Sequence, residues 1–339
     1  MHQGEHTADA VRLLSRAMTR ATRLHHTATG TEHLLFIMLH VGTPTARALA
    51  PGLRDAGKLM GTIAGVDPHW ISQDDEAAPP DVEADAVVTA TLREAHWSAR
   101  DRGRVPSAPP APTPSLRACL RGALVHAGAG PVTPAHLLLS LLDLRGSRAV
   151  EALRLRKVDR DAVIAAVARL REEPAEQPAV ALLRKSGVFG GRAGLMTRRL
   201  SSGYGSPVLL AVTAEAKRQA VRRGGSEVEP IDLLLGVLSL DRLVADTGRR
   251  LPGCSTADVL RIHGVDLPGL MSAVRVPPVP LGVSMPLGAA ARRSLSAARL
   301  RVADCGAKAL VATLLDGPLA PLLAAVGHDV PALRMALAW

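Results

Sequence analysis

Apolar and polar positions alternate along this chain in a pattern that returns. At residues 31–39, TEHLLFIML sets a short polar start ahead of about three turns of apolar helix. The same shape recurs at 132–142 as VTPAHLLLSLL, at 228–238 as VEPIDLLLGVL, and more weakly at 306–315 as GAKALVATLL. Ahead of each copy lies a longer segment with apolar residues at helical spacing. Val11, Leu14, Met18 and Ala21 share one face, with Arg12, Arg16, Arg20 and Arg23 mostly off it. Leu116, Leu120, Ala123 and Ala127 repeat the spacing, as do Leu209, Val212, Ala216 and Ala220, and then Ala291, Leu295, Ala298 and Val302. Shorter helices are predicted after each copy, at 45–49, 148–153, 243–246 (poorly formed) and 319–326, with a further one at 160–171. A unit repeated in this way fixes the architecture before any other feature does. The predicted fold is all-α.

Start and stop signals sharpen the boundaries. Thr133 can cap a helix with its hydroxyl, and Pro134 then takes the first helical position, where a missing N–H costs nothing. Glu229-Pro230 offers a similar start. In the first copy Thr31 is expected to cap, with Glu32 at the positive end of the helix dipole. Residues 187–205 hold Gly190, Gly191, Gly194, Gly203 and Gly205 with Ser201, Ser202 and several Arg, the composition of a linker or exposed loop. The copies therefore group in pairs: a first module at 1–171, a linker at 172–206 and a divergent second module at 207–339. The proline-rich RVPSAPPAPTP at 104–114 reads as a loop behind an additional helix at 83–100. That insertion, spanning 83–114, makes the first pair of copies more widely spaced than the second.

Composition supports helices. Apolar residues are 47% of the 339 but aromatics only 2%, so Ala, Leu and Val must build the cores. Ala and Leu are strong helix formers, whereas strands favour aromatics and β-branched residues. The net charge of +10 suits nucleic acid, anionic lipid or acidic protein partners. The Arg residues are scattered rather than gathered in a run, and few aromatics are present to stack bases, so nucleic acid is the weaker partner. Cys119, Cys254 and Cys305 are odd in number, far apart and without C-x-x-C, which argues against a disulfide framework or zinc ribbon and for a reducing compartment. Residues 1–9 are polar and lack the apolar core of a signal peptide, and no apolar run nears the ~18 residues of a membrane span. The expected location is the cytoplasm.

Motifs for chemistry are missing. No G-x-x-x-x-G-K-[ST] phosphate loop is present; GVFGGRAG at 187–194 lacks the Lys-Ser/Thr and a surrounding parallel-sheet pattern. Gly203-Tyr204-Gly205-Ser206-Pro207 is not a G-x-S-x-G nucleophile elbow, and Glu32-His33 is the wrong order for H-E-x-x-H. His25, His26, His33 and His40 are close in sequence but come without a Cys or carboxylate pair arranged to complete a metal site. The expectation is that His33 makes a structural hydrogen bond near its helix start, a role His136 repeats in the second copy. Arg192, Arg198 and Arg199 are expected as solvated charge, an acidic partner surface being the alternative reading. No metal, cofactor or catalytic residue is expected.

The stretch HTATGTEHLLFIMLHVGTPTARAL resembles the Clp N-terminal domain family, the double repeat at the front of Clp/Hsp100 unfoldases. Gly30-Thr31-Glu32-His33-Leu34-Leu35 carries the family's Gly-Thr-Glu-His start, and TPAHLL at 133–138 is similar to a variant of it. The resemblance is partial at the third copy and weak at the fourth. It implies two tandem helical modules without catalysis or an ATPase engine, each a pseudo-twofold pair of repeats. Such modules dock substrates, adaptors and, in actinobacterial ClpC-type proteins, cyclic-peptide antibiotics. In some members the motif Glu helps hold phosphorylated arginine. Only Glu32 matches that position, because Ala135, Ile231 and Lys308 stand there in the other copies, and no Phe follows Met1 where cyclic-peptide binders carry aromatics.

The resulting expectation is a monomeric binding protein. It would sequester peptide-like ligands of a ClpC-type unfoldase as a decoy, or serve a Clp protease as adaptor or regulator. An enzyme whose site lacks a known motif, and a basic nucleic-acid-associated regulator, are the other classes. The expected ligand surface lies between the first long helix and its counterpart in the second copy, lined by Val11, Leu14, Met18, Leu116 and Leu120, with Thr31, Glu32 and His33 beside it.

Overall fold

Four helix pairs carry the repeat. In the computed structural model, residues 4–66, 69–101, 110–170, 176–190, 203–251, 255–274, 285–300, 306–317 and 319–338 are described. The expectations placed on residues 104–109, on Arg192, Arg198 and Arg199, and on Cys254, Val302 and Cys305 lie outside these residues. The described chain is mostly helical and divides into two units, Met1–Ala175 and Glu176–Trp339. The first holds α1 (Ala8–Arg23), α2 (Thr31–Val41), α3 (Pro44–Leu49), α4 (Leu53–Val66), α5 (Val82–Asp101), α6 (Pro114–Ala127), α7 (Pro134–Asp143), α8 (Arg148–Leu155) and α9 (Arg160–Ala168). The second holds α10 (Pro178–Lys185), α11 (Pro207–Arg223), α12 (Pro230–Ala245), α13 (Thr256–Ile262), α14 (Leu267–Ala273), α15 (Ala289–Leu300), α16 (Ala307–Leu315), α17 (Ala320–Ala325) and α18 (Val330–Ala338).

The four short apolar helices α2, α7, α12 and α16 bury the same positions. Leu34, Leu137, Leu233 and Leu310 are each wholly buried, and so are Leu35, Leu138, Leu234 and Val311 on the next step. One turn on, Met38, Leu141, Val237 and Leu314 point into the cores, followed by Leu39, Leu142, Leu238 and Leu315. Burying a side chain of this size contributes about 1.5–3 kcal/mol, so these positions dominate the packing of each repeat. The long helices α1, α6 and α11 begin alike. Thr7, Thr113 and Ser206 cap them, each hydroxyl accepting the N–H three residues on, from Ala10, Leu116 and Leu209.

Paired repeats are stitched reciprocally. The N–H of Thr7, ahead of α1, donates to the Val132 carbonyl ahead of α7 at 2.9 Å. The N–H of Thr113, ahead of α6, donates to the Thr29 carbonyl ahead of α2 at 3.0 Å. Each repeat's long-helix start thus pairs with the other repeat's short-helix start. The second bond belongs to a two-residue parallel ladder of β1 (Ala28–Thr29) with β2 (Ala111–Pro112). In the second unit the N–H of Gly288, ahead of α15, donates to the Val228 carbonyl ahead of α12 at 2.9 Å, in the same register.

Three features depart from the sequence reading. First, residues 178–185, expected within a linker, form helix α10, with Ala179, Val180 and Leu183 buried at helical spacing against α11. Second, no separate helix starts at 243, because α12 runs unbroken to Ala245. In the first repeat Gly42 adopts a left-handed φ of 68° and ends α2. The third repeat has no such residue until Gly248, where φ is 71°. Third, α5 packs against both α1 and α6. Its buried residues Ala84, Val88, Leu92 and Ala95 recur at helical spacing and join the core that holds α1 and α6.

Candidate functional site

Helix α5 closes the expected groove. Val11, Leu14, Met18, Leu116 and Leu120 are all core residues, so none presents a side chain to an incoming ligand. Thr31, Glu32 and His33 are buried as well. The eight candidate ligand residues come together in the first unit as interior, not as a surface. The apolar face that suggested a peptide groove is satisfied by the protein's own inserted helix.

Around the start of α2 the interior is polar. Gly30, not Thr31, occupies the cap position, and Thr31 is the first helical residue. The work of the cap passes to His33, whose Nδ1 accepts the Gly30 N–H at 3.0 Å. His136 does the same for the Thr133 N–H at 3.1 Å, and the carboxylate of Asp232 for the Glu229 N–H at 2.8 Å. Three repeats thus place an acceptor in one slot, and the fourth, with Ala309 there, has lost it. Replacing His33 with Ala is expected to cost about 0.5–2 kcal/mol, the range of a lost cap, while His33→Gln keeps an acceptor and costs less. Urea unfolding of the two variants measures the difference.

Among the described residues one group of three metal-capable side chains converges: His26, Glu32 and His33. His33 Nε2 lies 2.9 Å from His26 Nδ1, and Glu32 Oε1 lies 3.0 Å from His33 Nδ1, at the other end of the ring. One ligand atom from each of the three lies within 4.8 Å of the others, but the two ring nitrogens of His33 are already turned to Gly30 and His26. Nδ1 is assigned to the Gly30 cap, and Nε2 faces His26 Nδ1. The second repeat supports this assignment, since His136 caps with Ala135 in place of the Glu. The arrangement is a hydrogen-bonded chain that fixes the His33 ring.

Glu32 is committed to a partner that is far away in sequence. Arg148, at the start of α8, reaches it with Nη1 at 3.2 Å from Oε1 and donates through Nε to the Ser72 carbonyl. Burial pushes the Glu32 carboxyl up, but His33, Arg148 and its own backbone N–H together pull it further down, and it sits below the ordinary carboxylate range. A depressed pKa in the folded state stabilises the fold above the unfolded-state value and loses that contribution as pH falls through the folded value. Stability of the first unit should therefore decline as pH drops below the ordinary Glu value of ~4.3. Glu32→Gln should flatten that acid limb, as thermal unfolding at a series of pH values will show.

Beside this pair lies Asp74, wholly buried, with φ at 56°. Its carboxylate accepts from the Thr31 N–H (2.9 Å), the Thr31 hydroxyl (2.5 Å), the Thr113 hydroxyl (2.6 Å) and the Arg148 N–H (3.1 Å). Neighbours on the same segment continue the seam: Glu151 accepts from the N–H groups of Ile71 and Ser72, and Ser115 Oγ accepts from that of Glu76. Residues 71–76 thus tie the first repeat to the second through side chains that periodicity does not reveal. Apart from Thr31, Glu32 and His33, none of these residues stood out in the sequence. The short run SQDDEAAPP carried only the signal of a loop.

An open surface does exist elsewhere in the first unit. A cleft of about 390 Å³ lies between residues 76–84, α6 and α7. Its lining is largely apolar, with Glu76, Asp81 and Asp143 as its acidic members and Arg121 on its wall. No described helix is long and apolar enough to cross a membrane. Compared with known proteins, the chain matches no protein family, no curated protein and no solved structure.

Proposed function

We propose that the chain is a non-catalytic docking protein built from two Clp-repeat modules, each a pseudo-twofold pair, that binds peptide-like or protein ligands of a ClpC-type unfoldase. The observation that carries this reading is the reciprocal bonding of Thr7 to Val132 and Thr113 to Thr29, with the same register at Gly288 and Val228. It joins the Gly-Thr-Glu-His start and its copies into paired repeats. A docking module without a motor cannot pull on a substrate, but it can compete for one. Competition needs only comparable affinity and sufficient concentration. The protein then acts in the cytoplasm as a monomeric decoy, with cyclic-peptide antibiotics among its ligands. Phosphoarginine is disfavoured at Glu32, because an incoming guanidinium has to displace that of Arg148.

An adaptor or regulator of a Clp protease is the second reading. It is favoured by large apolar side chains left on the surface of the first unit, including Leu53 and Ile71. A basic nucleic-acid-associated regulator rests on the net charge of +10 alone. Degradation of a model substrate by a reconstituted ClpC-type protease separates these readings. A decoy changes nothing until a cyclic-peptide ligand is added, and then restores normal degradation in proportion to its concentration. An adaptor changes degradation without that ligand. No effect under either condition removes both readings.

A further inference from the structure

Building on that docking reading, we propose that the cleft between residues 76–84, α6 and α7 is a peptide site of the first unit, and that it takes an arginine or lysine side chain carried on a short apolar stretch. Its volume, about 390 Å³, falls within the ~300–1,000 Å³ of small-ligand sites. Ala78, Val125 and Leu144 give it apolar walls, and Val125, on the solvent side of α6, is 67% exposed.

Charge then selects the occupant. Glu76 accepts the Gly146 N–H and Asp81 accepts the Ala84 N–H, but no cation among the described residues pairs with either carboxylate. On a chain of net charge +10 this acidic lip runs against the overall charge. The cleft wall already carries one cation of its own chain, Arg121, and its acidic member Asp143 is partnered from outside the lining. Arg121 donates through Nη1 to the carbonyls of Ala78 and Pro79, and Asp143 holds Arg160 and His126 on its two oxygens. A basic side chain fits both features, because its stem covers apolar surface while its head stays at the polar rim. An acidic side chain meets like charge and is rejected.

The test uses the full chain and two peptides, acetyl-Ala-Arg-Leu-Ala-amide and its Glu counterpart, titrated by nuclear magnetic resonance at low salt. The Arg peptide should bind at least about tenfold tighter than the Glu peptide, with shifts centred on residues 76–84, 118–125 and 140–144. The isosteric double variant Glu76→Gln/Asp81→Asn, which keeps both backbone acceptors, should weaken Arg-peptide binding about tenfold. Val125→Arg, which places a cation at the lip of an exposed position, should weaken it as well. Both variants should melt within a few degrees of the parent. If peptides bind without charge preference, or shift residues elsewhere, the cleft assignment fails and peptide docking stands. If a positive-control cyclic-peptide ligand and both linear peptides all leave the spectrum unchanged, the docking reading fails with it.

Discussion

Replacing Asp74 with Ala should destabilise the first unit by about 3–5 kcal/mol, at the exceptional end for a single substitution. The carboxylate is wholly buried and satisfies two backbone N–H groups and two hydroxyls. Each donor left dry costs about 1–3 kcal/mol, and the four share one acceptor, so their losses do not simply add. Backbone strain adds to the effect, since Asp and Asn tolerate the left-handed region better than Ala. Asp74→Asn should therefore cost less than Asp74→Ala, keeping one oxygen and the conformational preference while setting an NH₂ group against donors. Trp70 and Trp97 both lie in the first unit, so urea unfolding followed by fluorescence in a Trp339→Phe background reads that unit selectively. A loss under about 1 kcal/mol for the Ala variant, well below the range for a broken buried network, would show that the seam does not hold the two repeats together.

The second large effect is expected in the other unit. Arg223 lies buried against α12, with Nε and Nη2 forked onto the two oxygens of Asp232 at 2.9 and 3.0 Å, and Nη2 also 2.7 Å from Glu229. Burial works against its charge, but Asp232 and Glu229 outweigh burial and hold the guanidinium above its usual pKa. Arg223→Ala removes the cation and leaves Asp232, whose pKa burial already raises, without its partner in the interior, a change worth about 3–5 kcal/mol. The pair Arg223→Met with Asp232→Asn removes both charges and keeps an acceptor for the Glu229 N–H. It should recover a large part of the loss, because the penalty comes from the unpaired charge and not from the absent pair. Hydrogen exchange followed by mass spectrometry, on peptides covering α11 and α12, measures both variants. Equal protection losses for the single and double variants would contradict this account.

How much of this was legible in the sequence follows from the range of the interactions. Local signals carried the helices. Pro134 and Pro230 opened α7 and α12 as first-turn prolines should, and the apolar period located α1, α2, α6 and α11. The break expected before 243 is absent because nothing in LSLDRLVA stops a helix, whereas Gly42 ends α2 in the first copy. Helix α10 was hidden by the glycine and arginine residues that follow it, although Pro178, Val180 and Leu183 carry a short helix's own pattern.

The site was less legible because it is built across the chain. Glu32 and His33 stood out as a motif, and the capping role expected of His33 and His136 is what their geometry supplies. Their other partners are distant. Arg148 is 116 residues from Glu32, and Asp74 is 43 from Thr31. Sequence periodicity reports which face of a helix is apolar and not what covers it. Val11, Leu14 and Met18 were therefore identified as one apolar face, but the arrival of α5 on that face depends on the path of residues 69–81. No local rule singles out Asp74 over Asp75 as the buried carboxylate.

The claim on which the rest turns is the proposal that this helical chain docks peptide-like ligands. Calorimetric titration of the purified full chain with a cyclic-peptide ligand of ClpC-type unfoldases, alongside phosphoarginine, tests it most directly. The expected result is saturable binding of the cyclic peptide with Kd below about 1 mM, a free energy more favourable than ~−4 kcal/mol, and no comparable binding of phosphoarginine. Absence of heat and of saturation for the cyclic peptide up to that concentration would contradict the decoy reading.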